Sequence, residues 1–201
     1  MLDKHLVPLT KSPLQRMAMM LQQSGVSANQ VTVAGFVVGV GAIVLVANGY
    51  FLLGMLLLMC NRIADGIDGE LARLTGATDA GAYLDICLDF LFYAFFPIAF
   101  AIYDPQANGL AAAILVASFI GTGSSFLAFS GFARTREKKH PDFAYKGLYY
   151  LDGLAEGSET IIAFVLMCLF PASFPLIAGV FAVVCVITTV NRIWFGFKSL
   201  S

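Results

Sequence analysis

Long apolar runs separated by short polar breaks dominate the chain, at residues 31–49, 51–73, 80–103, 109–133, 151–170 and 174–196. Each run is close to the ~20 residues that a helix needs to cross the hydrocarbon core of a bilayer. The pattern therefore predicts an all-α, polytopic membrane protein with six transmembrane helices. The breaks fall at Asn48-Gly49, at Gly76 and Gly81, at Asp104-Pro105-Gln106, in the basic loop from Arg134 to Lys146, and at Pro171 and Pro175. All of these are ordinary turn punctuation. Residues 1–28 read differently, with Lys4, Lys11 and Arg16 set among leucines and methionines and interrupted by Pro8 and Pro13. That mixture suits an amphipathic segment lying in the interface against anionic headgroups. It contains no uninterrupted apolar core of signal-peptide type, so cleavage is not expected. The expected organisation is an interfacial segment over 1–28 and one membrane domain over 29–201.

Composition agrees with this reading: 59% of residues are hydrophobic and 12% charged, against roughly half and a quarter in an average soluble domain. The placement of charge is more informative than its sum of −1. The 12 basic residues are Lys4, Lys11, Arg16, Arg62, Arg73, Arg134, Arg136, Lys138, Lys139, Lys146, Arg192 and Lys198. With six spans, all of them belong to the termini, to the second-to-third and fourth-to-fifth connections, or to the adjoining helix ends. The connections near Gly49, Asp104 and Ala172 contain none. Cytoplasmic loops retain Lys and Arg, so both termini are expected in the cytoplasm. No nucleic-acid partner is expected. Cys60, Cys87, Cys168 and Cys185 lie in separate apolar segments without a Cys-x-x-Cys spacing, and read as buried free thiols.

The unusual stretch is Asp65 to Asp89, where acids interrupt apolar sequence. Asp65 and Asp68 are three apart, and Asp85 and Asp89 four apart, so each pair shares a face of its own helix. An antiparallel hairpin of the second and third spans sets the pairs opposite each other near the cytoplasmic side. Isolated acids within spans cost roughly 2.5–3.5 kcal/mol each on insertion scales. Such acids mark function, and four together require cations. Carboxylates without thiolate or imidazole suit Mg²⁺, Mn²⁺ or Ca²⁺ rather than zinc. Gly66, Gly69, Ala72, Gly76, Ala77, Ala80 and Gly81 leave room for close approach of a ligand or a second helix.

The spacing Asp65-x-x-Asp68-Gly69-x-x-Ala72-Arg73, seven residues, Gly81-x-x-x-Asp85-x-x-x-Asp89 resembles the signature of the CDP-alcohol phosphotransferases, membrane enzymes of phospholipid synthesis. The six-span length, the basic N-terminus and Asn29-x-x-Thr32 are also similar to that family. The overall sequence, including the run from Gly153 to Thr160, resembles a bacterial inner-membrane branch of the family. The resemblance implies two Mg²⁺ or Mn²⁺ ions, with Asp65 and Asp85 touching both, Asp68 the first and Asp89 the second. It makes Asp89 the general base as well. Gly69 and Arg73 are then expected to hold the cytidine nucleotide, with Asn29, Thr32 and Thr78 assisting, and the chain to form a homodimer. The implied reaction moves a phosphatidyl group from CDP-diacylglycerol to the hydroxyl of a small polar alcohol, releasing CMP. An alternative within the family transfers a phospho-headgroup from a soluble CDP-alcohol to a lipid acceptor. A cation transporter is the non-enzymatic alternative, disfavoured because the acids open to one side of the membrane.

The acceptor is less legible. Arg134 and Arg192 lie at helix ends and are candidates for a pocket that takes a phosphorylated acceptor such as glycerol 3-phosphate or inositol phosphate. Asp152, Glu156 and Glu159, expected on one face early in the fifth span, offer acceptors for a polyol or an amine. Glu156 and Glu159 are therefore carried as candidate acceptor-binding residues.

Overall fold

A computed structural model describes the backbone of residues 3–139 and 154–201, and the side chains of 11–133 and 154–201. The described residues form α1 (Asp3–Gln23), α2 (Ala28–Ala47), α3 (Phe51–Thr75), α4 (Asp79–Tyr103), α5 (Pro105–Lys139), α6 (Gly157–Leu169), a 3₁₀ turn (Pro171–Ser173) and α7 (Phe174–Leu200). The expected all-α architecture is what they build. Four segments, Ala28–Ala47, Asp79–Tyr103, Pro105–Ala133 and Pro171–Leu200, are long and apolar enough to cross a membrane. The 25-residue α3 carries the acids and arginines in its second half, which lowers its hydropathy but not its length.

Local sequence explains most boundaries. Ser27 caps α2 by accepting from the Gln30 backbone N–H, while the Gln30 side chain accepts from the Ser27 N–H, a reciprocal capping box. Pro105 occupies the first position of α5, where its missing N–H costs nothing. That start precedes the expected one at 109. Pro8 and Pro13 do not interrupt the N-terminal segment, which is one helix from Asp3 to Gln23.

The fifth apolar run departs from expectation. Its described helix begins at Gly157, and Glu156 is the extended N-cap residue (φ −116°, ψ −172°). Glu156 and Glu159 are therefore not neighbours on one helical face, and Asp152 lies outside the described residues. Thr188 on α7 supplies the reason. Its fully buried Oγ1 accepts from the Leu154 N–H at 3.1 Å and the Ala155 N–H at 3.0 Å, and donates to the Val184 carbonyl at 2.9 Å. The backbone before Gly157 thus satisfies its donors by tertiary contact instead of helix.

A stack of phenylalanines joins the elements. Phe96 of α4 lies 4.6 Å from Phe164 of α6, and Phe100 lies 4.5 Å from Phe174 of α7. Leu58, Leu115 and Met167 complete this fully buried core. The acid-bearing α3 packs between α2 and α1. A Cβ on Gly35 of α2 would meet the Ala64 Cβ at 2.8 Å, and one on Gly39 would meet Asn61 Nδ2 at 3.0 Å. Small residues permit this close helix crossing in an apolar solvent. On the other side, Leu14 and Ala18 of α1 pack on Ile67 and Leu71. Of the four cysteines expected to be buried, Cys168 and Cys185 are buried free thiols, whereas Cys87 is half-buried and Cys60 exposed.

Candidate active site

Helices α3 and α4 both pack on α2 and bring Asp65 and Asp68 of the one together with Asp85 of the other. One carboxylate oxygen from each of Asp65, Asp68 and Asp85 lies within 4.8 Å of the others. The cleft at these residues, also lined by Thr32, Asn61, Arg62 and Asp89, has room for about 10 Å³, roughly one water-sized ligand. Asp68 is buried, and among the described residues its Oδ2 has no hydrogen-bond partner. A buried acceptor left without a donor is costly, and a cation in the cleft removes that cost. The donors are all oxygens, so the cleft fits a hard divalent ion.

Asp89 lines the same cleft and is paired with Arg62. Its Oδ1 accepts from Arg62 Nη2 at 2.8 Å, while Arg62 Nη1 lies 3.7 Å from Asp65 Oδ2. Arg62 also donates from Nη1 to the Tyr93 hydroxyl at 2.9 Å and from Nε to Asn61 Oδ1 at 2.8 Å. Asn61 Nδ2 in turn donates to the Gly35 carbonyl at 2.8 Å, so the polar connection runs from α2 through α3 to α4.

Beside the acids opens a cavity of about 380 Å³ lined by Asn29, Thr32, Asp68, Gly69, Arg73, Thr78, Gly81 and Asp85, among others. All five residues expected to hold a nucleotide border it. Three wall residues, Thr32, Asp68 and Asp85, belong also to the small acidic cleft. Thr78 has a structural task as well, capping α4 by accepting from the Gly81 N–H at 3.0 Å. Thr32 donates to the Ala28 carbonyl at 3.0 Å. Arg73 is bonded to the buried Glu70 at 2.7 Å, its own side chain 65% exposed at the cavity rim.

A third cavity, of about 520 Å³, lies on the far side of Tyr93 between α4, α5, α7 and the start of α6. Its polar groups include Glu156, Thr160, Thr122 and Arg192 within a largely aromatic and aliphatic wall. Arg192 donates from Nη1 to the Thr122 carbonyl at 3.2 Å and stacks over Phe126 at 5.4 Å. Glu159 does not border this cavity, and the Arg134 side chain lies outside the described residues.

Comparison with known proteins agrees with this arrangement. The family profile described as CDP-alcohol phosphatidyltransferase matches residues 26–191, which include every aspartate of the cleft. The chain belongs to the CDP-alcohol phosphatidyltransferase family. It is therefore a membrane transferase of phospholipid biosynthesis, and the transporter alternative falls away. "Inner membrane protein YnjF" of Escherichia coli strain K12 is 46% identical, over all of this chain and 97% of that one. An "archaetidylinositol phosphate synthase" of Pyrococcus horikoshii is 34% identical over 88 residues, 41% of this chain and 44% of its own. The fold is shared with the phosphatidylinositol phosphate synthase of Mycobacterium tuberculosis, solved with CDP-DAG bound. The TM-score is 0.67 at 20% identity, covering 92% of this chain and 94% of that one.

Within this phosphatidyltransferase, sequence reasoning gave no task to Arg62, Asn61, Glu70 or Tyr93. One signal was available for Arg62. A charge in an apolar helix must be paired, and Asp65 stands three residues away. The better partner, Asp89, is visible only once α4 is folded back on α3.

Proposed function

We propose that this enzyme transfers the phosphatidyl group of CDP-diacylglycerol to the hydroxyl of a small polar alcohol and releases CMP. The observation that carries the reading is that the two cavities share a wall. The five candidate nucleotide residues wall a space of about 380 Å³ that shares Thr32, Asp68 and Asp85 with the acidic cleft, so a bound nucleotide would present its phosphates to the carboxylates. The donor is supported by the CDP-DAG held in the mycobacterial enzyme of the same fold.

Asp65, Asp68 and Asp85 would hold a divalent ion, Mg²⁺ or Mn²⁺, and Asp89 would help to hold a second. Such ions supply charge neutralisation for the pyrophosphate and the leaving CMP. Asn29, Thr32, Gly69, Arg73 and Thr78 orient the cytidine nucleotide. Asp89 accepts the proton of the attacking hydroxyl as that oxygen bonds to phosphorus, in line with the departing CMP oxygen. Holding both reactants in this geometry is the larger part of the catalysis.

The alcohol is assigned to the cavity that contains Arg192 and Glu156. Arg192 suits a phosphorylated acceptor such as glycerol 3-phosphate or inositol phosphate, and the name of the archaeal relative supports a phosphoinositol. Arg134 remains a proposed second cation for that phosphate, and Glu159 a more distant support. The chain crosses a bacterial inner membrane six times, with the interfacial segment 1–28, the domain 29–201, both termini and the site on the cytoplasmic side, and works as a homodimer.

The test is CMP release by purified protein from CDP-diacylglycerol, with and without Mg²⁺ and with a panel of alcohols: glycerol 3-phosphate, inositol phosphate, serine and sugar alcohols. Release that needs both metal and one acceptor is the expected result. Release from a soluble CDP-alcohol with a lipid acceptor, and none from CDP-diacylglycerol, would overturn the assignment of the donor.

A further inference from the structure

Tyr93 continues the row of acids along α4. Asp85, Asp89 and Tyr93 follow one another at four-residue steps, so they share one helical face. A single guanidinium joins the last two. Arg62 Nη2 donates to Asp89 Oδ1 at 2.8 Å, and Nη1 donates to the Tyr93 hydroxyl at 2.9 Å. Arg62 and Asp89 line the acidic cleft, whereas Tyr93 lines the cavity of about 520 Å³. The Tyr93 side chain therefore stands at the boundary between the two spaces.

A buried phenol needs a hydrogen-bond partner, and Arg62 is one. That bond uses the oxygen as acceptor and leaves its hydrogen to be donated; among the described residues no acceptor meets it. The ring is fixed, its centre 6.1 Å from that of Phe92 and 6.2 Å from that of Phe164. Helix α4 contributes Phe90, Tyr93 and Ala94 to the cavity wall, and Tyr93 alone of these carries a polar group. A molecule held by Arg192 on α7 and reaching towards Asp89 thus meets one side-chain donor from α4 in that wall, the Tyr93 hydroxyl.

We propose that Tyr93 binds the acceptor, its hydroxyl donating to the oxygen next to the one that attacks phosphorus. The acceptor is then a polyol, with a second hydroxyl beside the reacting one. This rests on the reading of the 520 Å³ cavity as the acceptor's site. The bond goes to the neighbouring oxygen because a donor on the attacking one would draw on the lone pair that must reach phosphorus. The attacking hydroxyl keeps its own hydrogen for Asp89, and the bond to CMP breaks as the new oxygen–phosphorus bond forms. Tyr93 stays protonated throughout.

The experiment compares Tyr93→Phe with the parent, as full-length chains in detergent, and reads acceptor KM, donor KM and direct Mn²⁺ binding. Glycerol 3-phosphate and inositol phosphate serve as acceptors, each beside a deoxy analogue that lacks the neighbouring hydroxyl. Tyr93→Phe is expected to raise acceptor KM roughly 3- to 10-fold, the range for loss of one hydrogen bond. Donor KM and Mn²⁺ affinity should stay within about twofold, which a merely structural role at Arg62 would not allow. The parent should lose a similar factor with the deoxy analogue, and Tyr93→Phe should no longer distinguish the two acceptors. Tyr83→Phe removes a phenol hydroxyl from the same helix at a side chain 73% exposed, and should change nothing. An acceptor KM within about twofold in Tyr93→Phe, or parallel losses of donor KM and Mn²⁺ affinity, overturns the proposal. So does CMP release with serine alone, which has no second hydroxyl. Should Tyr93→Phe not fold, the parent decides: equal KM for an acceptor and its deoxy analogue is equally fatal. Arg192→Ala separates the two levels. An unchanged acceptor KM there removes the cavity reading itself, whereas a rise there with none in Tyr93→Phe removes only the role of Tyr93.

Discussion

Arg73 Nη2 lies 2.7 Å from Glu70 Oε1, and the two differ sharply in exposure, 65% for the arginine side chain against 8% for the glutamate. The glutamate is buried and holds the exposed arginine at the rim of the cavity of about 380 Å³. A free long side chain must give up rotamer entropy to bind a ligand, and Glu70 removes part of that cost beforehand. Glu70→Gln is therefore expected to raise the KM for the CDP donor several-fold, on the order of 3- to 10-fold for the loss of a charge-assisted bond, with kcat little changed. Arg73→Ala should raise it further. Initial rates against donor concentration check this, and a lower KM in Glu70→Gln would show that the pair competes with the substrate.

Removal of divalent ions should abolish CMP release, and Mn²⁺ or Mg²⁺ should restore it. Asp65→Ala, Asp68→Ala and Asp85→Ala are each expected to weaken Mn²⁺ binding by about 10-fold or more, because their oxygens form the group of three. Asp89→Asn should weaken only the second of two bound ions and lower kcat by roughly 10²- to 10⁴-fold, the range of general base contributions. Titration of bound Mn²⁺ beside the rate measurements separates ligand from base.

Thr188 supports both the Leu154 and the Ala155 N–H. Thr188→Val keeps the shape and removes the acceptor, leaving buried donors unpaired. A loss of about 1–3 kcal/mol is expected for such an orphan, read as a lower unfolding temperature in detergent. Thr188→Ser should retain most of the stability, since the hydroxyl is kept. An equal loss in both variants would assign the effect to the Thr188 methyl group.

Gly81 has little room for a side chain. A Cβ there would lie 2.8 Å from Asn29 Oδ1 and 3.1 Å from Thr78 Oγ1. Gly81→Ala is expected to displace Asn29 and the α4 cap together, at about 1–3 kcal/mol of packing strain, and to raise donor KM more than it lowers kcat. Gly179, whose Cβ would meet nothing within 4 Å, is the control. Gly179→Ala should change neither quantity by more than about twofold.

Periodicity and residue spacing were enough for the fold class and the location of the acids on two helices, and the resemblance to the family pointed to the five residues that line the cavity of about 380 Å³. These are local properties: an apolar run long enough to span lipid must satisfy its backbone internally as helix. Tertiary structure alone decided how the four acids divide. Asp85 and Asp89 look equivalent along α4, one turn apart. Only the approach of α3 gives Asp85 to Asp65 and Asp68 and gives Asp89 to Arg62. The start of α6 was hidden for the same reason. Glu156 is four residues from Asp152 and three from Glu159, a spacing that suits a helix, yet Thr188, 32 positions beyond Glu156 in the chain, satisfies the preceding N–H groups and lets the helix begin at Gly157. Hydrogen-bond donors and charges take the partner that geometry brings nearest, and nearest neighbours across helices are not encoded in local spacing.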